Sequence, residues 1–236
     1  MTLLPSVEVL GRAAKDAALD PWTWIPLAGV GVLLIDDWDE GVSDWAREET
    51  PVFGSQDRAS DASDTLRDAL FFSMIATSLA TDSGEDPGTW AWSKTKGVGV
   101  SLLATSASEA FTVRAKDIVD RERPSGANRR SFPSKHATNA FSYARWMSDS
   151  LESVSMPAGL RTTLRVGANT TAAGVAWARV EAGHHYPADV LAGAAVGNFL
   201  TSFLHDAFMG LPHTVDLHVD PAPEGDGFMI GMTWRP

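Results

Sequence analysis

The chain has 236 residues, 44% of them apolar, enough for one good core in one large domain, or one domain with a small appendage. Thirty Asp and Glu against 19 Lys and Arg leave a net charge of -11, which argues against nucleic acid as a partner. There is no cysteine, so disulfides and thiolate metal sites are excluded.

Along the chain, residues 1–20 read as a short amphipathic helix or arm, with no basic region followed by an apolar core and a cleavage site. The chain therefore reads as cytoplasmic or as a mature exported form. Residues 21–50 give an apolar stretch, an acidic break and a second helical stretch. The break, Asp36, Asp37, Asp39 and Glu40, reads as solvated helix-end carboxylates in an acidic protein, in preference to a metal site. Ser63 is placed as the N-cap of a core helix carrying Leu66, Ala69, Leu70, Ala76 and Leu79 at helical spacing. After turn material at 82–90, residues 91–121 read as a long helix, and 122–135 as a loop by their prolines and glycine.

Helical spacing resumes at His136 with Ser134 as N-cap, and two further helices are expected over 157–180 and 187–209. Gly193 and Gly197, four apart, allow the last of these to approach a neighbour closely. Runs free of Asp, Glu, Lys and Arg cover 21–35, 69–81, 97–108, 166–178 and 190–205. Each is shorter than the roughly 18 to 20 residues a membrane span needs, so no full-length transmembrane helix is expected. TVDLHV and GFMIGMTW alternate around DPAPEGDG and predict a hairpin. The expected architecture is an all-α helical bundle over 1–210 with a small C-terminal β-hairpin over 211–236 packed on the same domain. No internal repeat is present, and nothing in the pattern fixes an oligomeric state.

Charge is unevenly spread. Between positions 114 and 135 lie seven basic residues, Arg114, Lys116, Arg121, Arg123, Arg129, Arg130 and Lys135, against Asp117, Asp120 and Glu122. Such a patch suits a small anion. Three pieces at helix ends share one chemistry: Lys116 with Arg123-Pro124, then PSKH over 133–136, then Arg179, His185 and Asp189 in ARVEAGHHYPAD. Arginine offers paired donors to phosphate oxygens, lysine a point charge, and a helix N-terminus at Ser134 further donors. A neutral imidazole attacks phosphorus, and a carboxylate four residues on can fix its tautomer. The second histidine, His136, suits a general acid. Together these residues can hold and transfer a phosphoryl group without a divalent cation.

In this order the pieces resemble the type 2 phosphatidic acid phosphatase superfamily, which includes bacterial acid phosphatases, lipid phosphatases and vanadium-dependent haloperoxidases. Its pattern is K-x6-R-P, P-S-G-H and S-R-x5-H-x3-D. The resemblance implies an α-helical fold, His185 as nucleophile, Asp189 as its partner and His136 as acid, with Lys116, Arg123, Ser134 and Arg179 holding phosphate. Lys135 replaces the motif glycine, and either restricts a backbone N–H or adds a fourth cation to the phosphate-binding set. Ala178 replaces the serine. His184 is expected to be a turn residue that points elsewhere.

The expected activity is a metal-independent phosphomonoesterase acting on a lipid phosphate or lipid pyrophosphate, with no cofactor and with vanadate as inhibitor; in a haloperoxidase reading vanadate is the cofactor, and in a third the chain binds phosphate or lipid without catalysis. The expected partner is a phosphorylated small molecule or lipid, in a periplasmic or membrane-peripheral setting. Trp22, Trp24, Trp38, Trp45, Trp90 and Trp92 carry the lipid reading if they line an apolar approach, while core packing is their ordinary reading.

Overall fold

The computed structural model describes residues 4–210, together with the backbone of Thr214–Pro221 and Phe228–Arg235. Within 4–210 there are eight α-helices: α1 (Val7–Leu19), α2 (Pro21–Leu33), α3 (Trp38–Glu49), α4 (Gln56–Ala80), α5 (Pro87–Val119), α6 (Lys135–Ser150), α7 (Ala158–Glu181) and α8 (Pro187–Met209). One 3-10 turn, Leu151–Ser153, follows α6.

The helix starts follow local chemistry. Ser6, Asp20, Ser55, Asp86 and Ser134 each accept a backbone N–H of the first turn, and proline opens α2, α5 and α8. Ser63 is not the cap expected of it. The helix starts a full two turns earlier because Ser55 accepts from Arg58 N–H, and Ser63 is buried in its middle, donating to the Ser60 carbonyl.

α6 is the central helix, with nearly every residue from Ala137 to Ser150 buried. Leu70, Met74, Val100, Tyr143, Trp146, Met147, Ala172 and Val175 form the main core between α4, α5, α6 and α7. α8 lies against α6 with almost no gap. A Cβ at Gly193 would stand 2.6 Å from the Ser134 carbonyl oxygen, and one at Gly197 would collide with the Thr138 carbonyl. The two glycines thus allow backbone-to-backbone contact that any side chain would forbid. By length and composition α8 can cross a membrane, contrary to the expectation from charge-free runs, which stop at Asp189. It is nevertheless an interior helix, 67% buried over its apolar window.

α2 differs. It has no charged residue, yet Trp22, Trp24, Ile25, Leu27 and Val32 are exposed. All six tryptophans of the N-terminal half lie between 44% and 59% exposed, so the core-packing reading of them fails: the small residues of α4 to α8 fill the interior without them. The backbone of β1 (Thr214–Pro221) and β2 (Phe228–Arg235) is paired antiparallel. The turn of the expected hairpin, residues 222–227, and its packing on the domain lie outside the described residues.

Candidate active site

The C-terminal ends of α5 and α7 and the N-terminal ends of α6 and α8 meet at one end of the bundle, and they carry the three motifs. The contact between α6 and α8 fixes the second motif against the third: Ser134 N–H donates to the Asp189 carbonyl at 2.9 Å. Ser134 itself is fully buried, its hydroxyl accepting from Ala137 N–H as the α6 cap.

His185 is 1% exposed. Its Nδ1 faces Asp189 Oδ2 at 3.7 Å and has no hydrogen-bond partner. Burial outweighs the neighbouring carboxylate, and with Lys116 and Arg179 nearby it pushes the imidazole down to about 3, so the ring is neutral at ordinary pH. Asp189 is 0% exposed and heavily bonded. Its Oδ2 accepts from Ser131 Oγ at 2.5 Å and from Tyr186 N–H at 2.8 Å, and its Oδ1 from Arg121 at 2.9 Å. Burial alone would raise this carboxyl, but His185, Ser131 and Arg121 together hold it below the usual range.

The cations sit around the same end. Lys116 Nζ donates to the carbonyls of Arg130 (2.7 Å) and Ser131 (3.3 Å), and burial, followed by the charge of Arg123, lowers it to about 8. Arg179 reaches Ser63 Oγ at 3.0 Å. Burial lowers it to about 10, with Arg123 and Arg67 adding to the fall and Asp64 opposing it. Arg123 lies 3.3 Å from His184 Nδ1. The Nε atoms of Arg123 and Arg179 are buried without a partner. Like charges gathered this closely need an anion to offset them.

His136 is met from α4. Its Nε2 stands 2.9 Å from Asp64 Oδ1 and 2.6 Å from an Arg67 guanidinium nitrogen, and burial, with Arg179 next, pushes it down to about 4. Lys135, by contrast, turns away: its ammonium pairs with Glu109 of α5 at 2.5 Å. It is not brought to the phosphate-binding set, because Glu109 of α5 takes its ammonium. His184 is closer to the site than expected, between Arg123 and Ser60 Oγ, each at 3.3 Å.

Sequence reading missed the α4 contribution. Ser60, Ser63, Asp64 and Arg67 recur at helical spacing, but they stand in a segment that is polar nearly throughout (QDRASDASDTLRD, 56–68), so no pattern set that face apart. It also took Asp39 for solvated. Asp39 is 2% exposed, bonded to Arg121 at 2.6 Å and to Ala188 N–H at 2.7 Å, because the α8 N-terminus supplies it a donor. Among the described residues no group of three or more His, Asp and Glu converges as a metal site.

Residues 97–210, a span that contains all three motifs, match the family model of the PAP2 superfamily. The match covers 114 of the 236 residues and agrees with the resemblance that the motifs carry. No curated protein matches the chain in sequence. Among solved structures the chain is similar to the crystal structure of the first transmembrane PAP2 type phosphatidylglycerolphosphate phosphatase from Bacillus subtilis, with a TM-score of 0.60 and 18% identity. The likeness covers 81% of this chain and 96% of that one, and it is a likeness of fold.

Proposed function

We propose that the chain is a phosphatase that hydrolyses phosphomonoesters through a phosphohistidine, without a metal. The observation that carries this reading is His185: a buried, neutral imidazole with Nδ1 turned to an ionised Asp189, among three cations whose charges are not offset by carboxylates alone. Lys116, Arg123 and Arg179 hold the three non-bridging oxygens, and the N-terminus of α6 at Ser134 adds its dipole. His185 attacks phosphorus through Nε2, the bond to the leaving oxygen breaks, and His136 delivers a proton to that oxygen. Asp189 accepts the hydrogen bond of the Nδ1–H that the phosphorylated ring retains. Water then attacks the phosphohistidine, gives its proton to His136, and releases phosphate and neutral His185.

A lipid phosphate is the favoured substrate. The exposed tryptophans and the uncharged, exposed α2 support it, since Trp and aliphatic side chains on a protein surface suit a lipid interface, and so does the lipid substrate named for the similar structure. The same surface supports a setting at a membrane periphery.

The test is hydrolysis of p-nitrophenyl phosphate and of a short-chain phosphatidic acid in EDTA, wild type beside His185→Ala, with and without orthovanadate. Turnover that survives EDTA, vanishes in the variant and is inhibited by vanadate is expected. Turnover retained in His185→Ala overturns the phosphohistidine. Preference for the soluble ester overturns the lipid assignment alone.

A further inference from the structure

The carboxylate facing His185 is the inner end of a longer chain of charge. Arg121 donates one guanidinium nitrogen to Asp189 Oδ1 at 2.9 Å and another to Asp39 Oδ2 at 2.6 Å. The other oxygen of Asp39 accepts from Ala188 N–H, in the first turn of α8, at 2.7 Å. The guanidinium lies over the Tyr186 ring, 3.9 Å from its centre. Asp39 belongs to α3, far outside residues 97–210, and just before that helix Asp36 and Asp37 both take a left-handed backbone, φ 61° and 60°. Such a turn in non-glycine residues costs energy that the buried bonds of Asp39 must offset.

We propose that Asp39 is a positioning residue for phosphoryl transfer: by sharing Arg121 with Asp189, it fixes the carboxylate that faces His185 and keeps that carboxylate anionic enough to stabilise the phosphorylated ring. The inference rests on His185 as nucleophile. Two carboxylates and one guanidinium leave the group one negative charge beside the imidazole. Without Asp39 the guanidinium belongs to Asp189 alone, the group becomes neutral, and the acceptor for Nδ1–H is weakened in the state where it is needed. Geometry points the same way. Ser131, Tyr186 N–H and Arg121 hold three lone-pair directions of Asp189, so the carboxylate plane is set before substrate arrives. The 3.7 Å to Nδ1 then closes to hydrogen-bond length only if the ring moves to it.

Asp39→Asn is the sharp variant, because the amide oxygen still accepts from Ala188 N–H while the charge facing Arg121 is lost. The assay measures kcat and KM for p-nitrophenyl phosphate, and inhibition constants for phosphate, which reads the cations, and for orthovanadate, which mimics the transferring group bonded to the histidine. Expected are a kcat roughly 10- to 100-fold lower with KM within about threefold, vanadate weakened about tenfold and phosphate less than about twofold, as for a group acting mainly in the transition state. Asp39→Glu should recover part of kcat. Unchanged kcat and vanadate inhibition overturn the inference, as does an equal weakening of phosphate and vanadate, which marks a structural role. Arg121→Lys, which keeps a charge but cannot span two carboxylates, carries the same expectations and decides the matter should Asp39→Asn fail to fold. Wild type and His185→Ala run alongside: if they turn over equally, the phosphohistidine reading fails and this inference falls with it, whereas a dead His185→Ala beside a fully active Asp39→Asn rejects the inference alone.

Discussion

At the residue scale, the two histidines are depressed for the same first reason, burial, but face different neighbours. In the proposed reaction His136, held at about 4 beside Asp64 and Arg67, is protonated to serve the leaving group, while His185, at about 3, is neutral to attack. Above pH 4 the protonated fraction of His136 falls, and above 8 Lys116 also discharges. The value of kcat/KM is therefore expected to fall as pH rises from 5 to 9; a pH–rate profile that rises over this range would contradict His136 as the acid. Lys135 gives a second prediction. Because its ammonium is engaged by Glu109, Lys135→Gly should change kcat/KM by less than about threefold, whereas Lys116→Ala should lower it by about 100-fold or more, the usual scale for removing a transition-state charge partner. Steady-state kinetics of the pair checks both.

At the scale of elements, the site exists because α8 and α6 touch backbone to backbone. A methyl at Gly197 meets the Thr138 carbonyl and Ser142, and a methyl at Gly193 meets the Ser134 carbonyl, so neither helix can accommodate it without moving. Gly197→Ala is expected to cost on the order of 1–3 kcal/mol in urea denaturation, the range for overpacking a close contact. Gly193→Ala should in addition lower kcat, since it displaces the α6 start from which Ser134 and His136 project. If Gly193→Ala changes stability without activity, the α6–α8 contact does not set the site. The glycine pair was legible in the sequence. Its partner was not, because spacing on one helix does not say which face of another helix it meets.

Across the whole molecule, His136, His184 and His185 all sit below the ordinary histidine value, chiefly through burial. In the unfolded chain they take up protons near pH 6.5, while the folded protein resists until about pH 3 to 4. Between these limits the unfolded state binds more protons, so stability is greatest above pH 6.5 and is lost as pH falls toward 4. Asp189, held below its usual value, acts in the same direction at still lower pH. The melting temperature is thus expected to drop from pH 7 to pH 4, and inorganic phosphate to restore part of it by binding only the folded site. A melting temperature that rises on acidification would contradict the buried, neutral state of these rings.

The sequence by itself determined most of the helices, the order of the three motifs, and the candidate residues Lys116, Arg123, Ser134, His136, Arg179, His185 and Asp189, because each motif is a short run recognisable by its own spacing. Only the tertiary structure decided that Ser63, Asp64 and Arg67 of α4 complete the site, that Asp39 is buried against Arg121, that Lys135 faces Glu109 and that the six tryptophans lie outside. These depend on which helix faces pack, and an acidic residue at a helix end reads as solvated until the N–H groups and guanidinium that receive it are brought from 80 or more positions away.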